Sequence, residues 1–329
     1  MRILNRDAVR AALPMDAAIR AMKDAYAALS SGRAVMPLRA NLSITPHAGT
    51  ALVMPAYVGT EAGDALAVKV VTLFDRNRDR GLPFIHAAVL ALEPDTGRVA
   101  AVIEGAALTA LRTGAASGAA TDLLARPESR IVAILGSGVQ ARTQLEAVCT
   151  VRSIEEVRVF SPHPENASAF AREVAGVGPV PRSVRAVASP VEAVRGADII
   201  CAASTSATPV FDDPDVPAGA HINAIGSFQP HVQEIPGATV ARALLVVDQR
   251  RAALDEAGDL IRPIEEGLIT AGHVHAELGE VVLGRRPGRT DPEQVTLFES
   301  VGLAVQDAMA ARVLLENAAR AGIGEDVAW

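Results

Sequence analysis

Two groups of residues in this chain have the types and spacing to do chemistry. The first is Gly136-Ser137-Gly138-Val139-Gln140-Ala141, which follows the apolar run at residues 131–135. Strand, then G-x-G-x-x-A, then helix is the pattern of a dinucleotide-binding turn. Gly136 permits the tight turn, Gly138 leaves bare backbone against a pyrophosphate, and Ala141 lets the helix pack close to its strand. The helix N-terminus offers free amides and partial positive charge to the phosphates. The second group is basic. Lys69 interrupts the apolar run at residues 66–71, and Arg112 sits among small residues in Ala110-Leu111-Arg112-Thr113-Gly114. Spacing alone puts Lys69 on the solvent side of an edge strand. A buried guanidinium needs an anion, either an internal carboxylate such as Glu104 or a ligand. Arg39, in Met36-Pro37-Leu38-Arg39, is uninformative by itself. With Lys69 and Arg112 it makes a cation set suited to a substrate carboxylate, arginine supplying bidentate geometry.

The strand after the glycine turn ends Val159-Phe160-Ser161-Pro162-His163. An NAD-specific fold places Asp or Glu there for the ribose 2′-hydroxyl. No acid stands at this tip, whereas Ser161 and His163 are groups that hydrogen-bond a 2′-phosphate. The expected cofactor is therefore NADPH in preference, with NADH possible. Other polar residues have plainer readings. His221 begins a strand and reads as structural. His231, after Pro230, is a loop residue or a substrate contact. Glu256 and Asp259 either face a pocket or cap the surface. His273 and His275 have no third ligand, so no metal site is expected. Cys149 and Cys201 lack ligand spacing and read as reduced, small hydrophobes.

Two rhythms of elements position these residues. Ile19, Met22, Tyr26 and Leu29 recur at helical spacing, with Pro14 before them and Gly32 as a stop. Residues 38–44, 50–58, 66–74, 84–92 and 98–104 then read as consecutive strands, which predicts a mostly antiparallel sheet. A small-residue helix follows at 106–125. From residue 131 strands and helices alternate: strands at 131–135, 157–160, 184–187, 198–202, 221–225 and 243–247, with helices at 139–151 and 164–175. That alternation means βαβ units and a parallel sheet. A last long helix is expected at 297–321. The fold class is α/β: a Rossmann-type parallel-sheet domain plus a mainly antiparallel α+β domain.

Composition bounds the function classes. A length of 329 residues suggests two domains. Half the residues are hydrophobic but only 3% are aromatic, so Ala, Val, Leu and Ile form the cores. A net charge of −7 gives no global attraction for nucleic acid or anionic membrane. No apolar run reaches the roughly 18 residues of a membrane span, and the charged N-terminus is not that of a signal peptide. A cytoplasmic location is the expectation.

The match extends through several further motifs: Pro37-Leu38-Arg39, Met54-Pro55-Ala56-Tyr57, Lys69-Val70-Val71, Ala110-Leu111-Arg112-Thr113, the glycine turn, His221-Ile222-Asn223-Ala224-Ile225-Gly226, Ala276-Glu277-Leu278-Gly279-Glu280-Val281 and the run at 298–307. Through these the chain resembles the ornithine cyclodeaminase/mu-crystallin family nearly end to end. The resemblance implies a homodimer. It implies a discontinuous substrate-binding and dimerisation domain, residues 1–120 and 304–329, around a Rossmann domain at 121–303 that binds NAD(H) or NADP(H). It places Arg39, Lys69 and Arg112 around the substrate carboxylate and reacting centre. Cofactor-contact positions fall at His86, Arg112, Thr113, Gly136, Ser137, Gly138, Val139, Gln140, Ser161, His163, Ser204, Thr205, Ile225 and Ser300.

Cyclodeaminases of this family carry an aspartate two residues after the Gly of the His-x-Asn-Ala-x-Gly motif, and here Phe228 occupies that substrate-side position. Phenylalanine takes no proton, and ornithine cyclisation with ammonia loss needs several proton transfers. The resemblance therefore implies NAD(P)H-dependent reduction of a small cyclic ketimine carboxylate. The expected substrate is Δ1-pyrroline-2-carboxylate, giving L-proline, or Δ1-piperideine-2-carboxylate, giving L-pipecolate. Lys69 is the expected proton donor, its pKa lowered by two crowding arginines. The rivals are an ornithine or lysine cyclodeaminase with bound NAD, an alanine dehydrogenase, and a ligand-binding protein of mu-crystallin type without turnover.

Overall fold

A computed structural model describes residues 1–328. In chain order its elements are β1 (Arg2–Leu4), α1 (Arg6–Ala12), α2 (Met15–Ser30), β2 (Ala34–Val35), β3 (Ala40–Ile44), β4 (Gly49–Val58), β5 (Ala65–Phe74), β6 (Ile85–Leu92), β7 (Val99–Glu104) and α3 (Gly105–Leu124). Next come β8 (Ile131–Leu135), α4 (Val139–Val151), β9 (Glu156–Phe160), α5 (Pro164–Val174), β10 (Val184–Ala186), α6 (Pro190–Val194), β11 (Ile199–Ala202), β12 (His221–Ala224), α7 (Gly237–Arg242) and β13 (Leu244–Val247). The chain ends with α8 (Arg250–Glu256), α9 (Gly258–Glu265), β14 (Ala276–Glu277), α10 (Leu278–Val282), β15 (Thr296–Glu299), α11 (Ala304–Ala321) and β16 (Glu325–Asp326). Two compact units result: Met1–Arg112 with Leu303–Trp329, and Thr113–Gly302. The division falls inside α3, so one helix carries Arg112 at the end of the first unit and Thr113 at the start of the second.

The first unit is built on a sheet of order β16-β1-β7-β6-β5-β4-β2, with β3 also paired to β4. Every pairing is antiparallel except β1 with β7. Helix α2 starts just after Pro14, whose fixed φ of −65° suits a helix entry, and its apolar stripe buries Ile19, Met22 and Tyr26. Helix α11 packs across β4, β5 and β6. This arrangement corrects the edge-strand expectation for Lys69. Strand β5 has partners on both sides, with Lys69 paired to Met54 of β4 and Val89 of β6. All three side chains are buried. An apolar strand with one lysine looks the same at an edge and in the interior; the neighbours decide.

The second unit is an eight-stranded sheet of order β10-β9-β8-β11-β12-β15-β13-β14 in which every pairing is parallel. The chain starts in the middle at β8, winds outward through β9 and β10, then returns to β11 on the other side. That reversal is the topological switch point of a doubly wound sheet. Its core includes Val132, Ile134, Ala141, Leu145, Val159 and Phe170. One element differs from expectation. The helix anticipated at 297–321 is strand β15 followed, after a four-residue link, by α11. Thr296, Leu297, Phe298 and Glu299 are all buried between β12 and β13. A strand buried on both faces shows no alternation, so its apolar run merges with the helix that follows.

Candidate active site

In the first unit Lys69, Arg112 and Asp307 form one buried group, 2%, 6% and 1% exposed. Lys69 Nζ lies 2.7 Å from Asp307 Oδ2, the approach of an ion pair rather than of a well-aligned hydrogen bond. Arg112 Nε donates to Asp307 Oδ1 at 3.2 Å, and Nη1 donates to Gln306 Oε1 at 2.6 Å. Gln306 and Asp307 are both in the first turn of α11. Gln306 Oε1 also accepts the Leu303 N–H at 3.0 Å, and its amide donates to the Tyr26 hydroxyl. The anion for Arg112 is thus internal, and it is Asp307. Glu104 instead caps α3, accepting the N–H groups of Ala106 at 3.1 Å and Ala107 at 2.8 Å. Its place just before a helix of small residues suits it to that role.

Burial is the largest influence on Lys69 and pushes its pKa down to about 8. Asp307 pulls the other way, and Arg112 and Arg39 add to the depression. The crowding by arginines is real, but desolvation outweighs it. Arg39 is half-buried ahead of β3. His86 lies exposed on β6 opposite Thr72.

In the second unit the predicted cofactor residues gather at one edge of the sheet. Ser137, Ser161, Ser204, Ile225 and Ser300 follow the carboxyl ends of β8, β9, β11, β12 and β15. Doubly wound sheets bind ligands at that edge, at the switch point. Gly136 has φ +120°, and a Cβ there would sit 2.3 Å from the Ala203 carbonyl oxygen. Only glycine fits. Gly138 is different: it has an extended backbone at the start of α4, and a Cβ would meet no protein atom within 4 Å. The space over that backbone is open. Arg142 anchors the turn by donating to the carbonyls of Ser137 at 2.7 Å and Gly138 at 3.0 Å. Gln140 Oε1 is buried with no protein donor. An open glycine cradle, unused helix-start amides and an orphaned buried acceptor together fit a dinucleotide.

Ser137 Oγ donates to Ser161 Oγ at 3.2 Å, and the His163 N–H lies 3.4 Å from the same oxygen. The His163 ring is exposed, 3.7 Å from Glu165. Thr205 and Val139 are exposed; Thr113 is buried. Ser300 Oγ donates to Asp248 Oδ2 at 3.0 Å. Phe228 is 39% exposed.

Behind this edge lies a feature that sequence reading missed. Glu234 Oε1 accepts both the Ser204 N–H, at 2.8 Å, and the Ser204 hydroxyl. A Cβ on Gly226 would lie 1.9 Å from Glu234 Oε2. Asp259 Oδ1 accepts the N–H groups of Glu234 at 2.7 Å and Ile235 at 2.9 Å. Glu299 is fully buried facing Asp259, and neither of its oxygens meets a protein donor. Burial pushes Glu234 up to about 7, against the pull of Ser204. Burial and the neighbouring carboxyls push Asp259 up to about 8 and Glu299 well above the carboxylate range. Asp259 is therefore not a surface cap: it is fully buried, its Oδ1 holds two backbone N–H groups, and its Oδ2 meets no protein donor.

The remaining sequence candidates stand apart. His221 is buried, bonded to Thr296 Oγ1 at 2.9 Å and Asn223 Oδ1 at 3.3 Å, and burial lowers it to about 3. The His231 ring is exposed and its carbonyl accepts from Arg262. His273 and His275 face the carbonyls of Val240 and Pro287. Both cysteines are buried free thiols, pushed up to about 12 by burial.

A parallel doubly wound sheet with a glycine turn at its switch point, preceded by an antiparallel unit with a buried lysine, defines a two-unit Rossmann-type α/β protein. Within that class the chain belongs to the ornithine cyclodeaminase/mu-crystallin family, whose model matches residues 1–322. It is 42% identical over 309 residues to a Δ(1)-pyrroline-2-carboxylate reductase of Bacillus cereus, covering 92% of this chain and 94% of the relative. Among solved structures, the Thermococcus litoralis Δ(1)-pyrroline-2-carboxylate reductase in complex with NADH and L-proline superposes with a TM-score of 0.94 at 42% identity, covering 99% of this chain and 100% of that one. An archaeal alanine dehydrogenase dimer with bound NAD superposes with a TM-score of 0.92 at 33% identity, covering 100% and 99%.

Proposed function

We propose that this chain is an NAD(P)H-dependent ketimine reductase that converts Δ1-pyrroline-2-carboxylate to L-proline, with Δ1-piperideine-2-carboxylate as a second cyclic substrate. The observation that carries the reading is the buried Lys69–Asp307–Arg112 group. Two cations and one anion leave a net positive site for one carboxylate, and a lysine lowered to about 8 is a competent proton donor near neutrality. The reductases at 42% identity support it.

A bound reduced nicotinamide supplies the hydride for C2 of the ring. Arg112 has Nε and one Nη1 hydrogen committed to Asp307 and Gln306, and it presents its Nη2 edge to the substrate carboxylate. Arg39 adds positive charge to that region. Lys69 gives a proton to the ring nitrogen, so the C=N bond becomes CH–NH and the lysine is left neutral until solvent reprotonates it. Phe228 has no proton to exchange where the family's cyclodeaminases have an aspartate, and its apolar ring suits a cyclic substrate. In the second unit the cofactor contacts are Thr113, the turn from Gly136 to Gln140, Ser161, His163, Ser204, Thr205, Ile225 and Ser300.

NADPH is the preferred cofactor in this reading, because Ser161 rather than a carboxylate follows the end of β9, with the hydroxyls of Ser137 and Ser161 side by side. The chain acts as a homodimer. Val35, Leu38, Leu42, Val53, Val70 and Ile85 of the first unit are exposed apolar side chains suited to an interface. No helix among the described residues is long and apolar enough to cross a membrane. Two unpaired thiols fit a reducing, cytoplasmic location.

The test is oxidation of NADPH and NADH with Δ1-pyrroline-2-carboxylate, alongside L-ornithine without added cofactor and L-alanine with NAD. Rapid oxidation with neither amino acid consumed is the expected result. Ammonia and proline from ornithine would make it a cyclodeaminase, and NADH formed from alanine would make it an alanine dehydrogenase. A higher kcat/KM with NADH would overturn the cofactor preference.

A further inference from the structure

Asp307 has no role in the chemistry above, yet it touches both groups that do. Its Oδ2 lies 2.7 Å from the Lys69 ammonium and its Oδ1 accepts from Arg112 Nε at 3.2 Å. All three side chains are buried, on three different elements: β5, α3 and α11. Gln306, one residue earlier on α11, holds the next nitrogen of the same guanidinium at 2.6 Å. The first turn of α11 thus grips Arg112 at two guanidinium nitrogens, while the second oxygen of Asp307 holds Lys69.

We infer that Asp307 is a positioning residue of the reductase site, one carboxylate whose two oxygens set the distance between the proton donor Lys69 and the carboxylate clamp Arg112. The inference rests on the ketimine reductase reading. Three physical consequences define it. Without Asp307 the two cations repel each other with nothing between them, so the donor and the clamp move apart. Misplacement by about 1 Å at a reacting centre costs about 10²-fold in rate. Without Asp307 the ammonium also loses its opposing charge, since among the described residues the charged groups acting on Lys69 are Asp307, Arg112 and Arg39. Its proton is then held less tightly. Finally, removing an anion from a cationic site leaves the attraction for a substrate carboxylate undiminished. Loss of Asp307 therefore separates turnover from binding.

The chain offers an unusually clean readout. Lys23 and Lys69 are its only lysines among 31 basic Lys and Arg residues. Lysine labelled with carbon-13 at the ε position gives two resonances in the full-length protein, and Lys23→Arg assigns them. In wild type the Lys69 resonance is expected to titrate at about 8. In Asp307→Asn its midpoint moves to lower pH by about one unit or more while that of Lys23 stays put. With Δ1-pyrroline-2-carboxylate and NADPH, the same variant shows kcat lowered about 100-fold, KM unchanged or lower, and an alkaline limb of kcat displaced to lower pH. Asp307→Glu keeps the charge but shifts it by a methylene. It restores the Lys69 midpoint toward wild type while kcat stays depressed.

An unmoved Lys69 midpoint in Asp307→Asn overturns the inference, as does a raised KM with kcat intact. Should Asp307→Asn fail to fold, Asp307→Glu decides: wild-type kcat there removes any positioning role. If wild-type protein reduces no cyclic imine, the functional reading fails instead, and the NMR titration still decides whether Asp307 controls the Lys69 proton.

Discussion

Lys69, Arg112 and Asp307 in the first unit and Glu234, Asp259 and Glu299 in the second are buried to nearly the same degree. The two groups handle that burial by different means. In the first, opposite charges meet at 2.7 and 3.2 Å, and the group keeps a net positive charge, which under the proposed function a substrate carboxylate offsets. In the second all three groups are acids, and protons rather than counter-ions relieve the repulsion. Glu299 has no protein donor on either oxygen and faces Asp259, a contact that is a hydrogen bond only when one of the two holds a proton. The difference teaches where a substrate charge is welcome. A site that ends with surplus cation binds an anion, whereas a carboxyl cluster closed by its own protons and by serine and backbone N–H groups holds loops in place.

The two regions also have opposite pH signatures. Glu234 and Asp259 are raised from ordinary carboxyl values to about 7 and about 8. The folded chain therefore keeps protons that the unfolded chain has released, and stability falls as pH rises through that window. Lys69 is lowered from 10.5 to about 8. There the folded chain binds fewer protons than the unfolded one, and stability rises as pH increases from about 8 toward 10.5. The two contributions meet near pH 8.

The largest break in the comparison comes from Lys69→Ala. It removes the proposed proton donor and leaves Asp307 to Arg112 alone. We expect kcat/KM for Δ1-pyrroline-2-carboxylate to fall about 10²- to 10⁴-fold, with NADPH affinity by fluorescence titration close to wild type; full turnover in this variant removes Lys69 from the mechanism. Gly226→Ala strikes the other region. Its methyl would lie 1.9 Å from Glu234 Oε2. Thermal melting should show a loss of about 1–3 kcal/mol, and an unchanged Tm would mean that Glu234 does not hold this turn. The finest discrimination is in stability against pH. Glu299→Gln should flatten the decline below about pH 8, while Lys69→Met should flatten the rise above it. Chemical denaturation across pH reads both, and a variant that flattened the wrong limb would reverse the assignment of charge to the two regions.

Much of the scaffold was legible without coordinates. The glycine turn, the parallel and antiparallel halves and the entry of α2 all follow from periodicity and backbone allowance within a dozen residues. Lys69 was misplaced because a lone lysine in an apolar strand looks like an edge residue until β4 and β6 flank it. The scarcity of lysine in an arginine-rich chain is a signal that could have drawn notice to it. Arg112 was rightly judged to need an anion, but the nearest acid in sequence, Glu104, was occupied by helix amides. Glu234 and Glu299 carried no local signature at all.

What the sequence by itself determined is therefore local: a φ of +120° that only Gly136 tolerates, a helix start with spare amides after Gly138, and the strand–helix alternation that makes a doubly wound sheet. What only the tertiary structure decided is pairing. Asp307 meets Arg112 across 195 residues, and Asp259 meets Glu234 across 25. A buried charge takes whichever partner the fold brings within about 3 Å, and interaction strength depends on that distance and on the exclusion of water, neither of which is written in residue order.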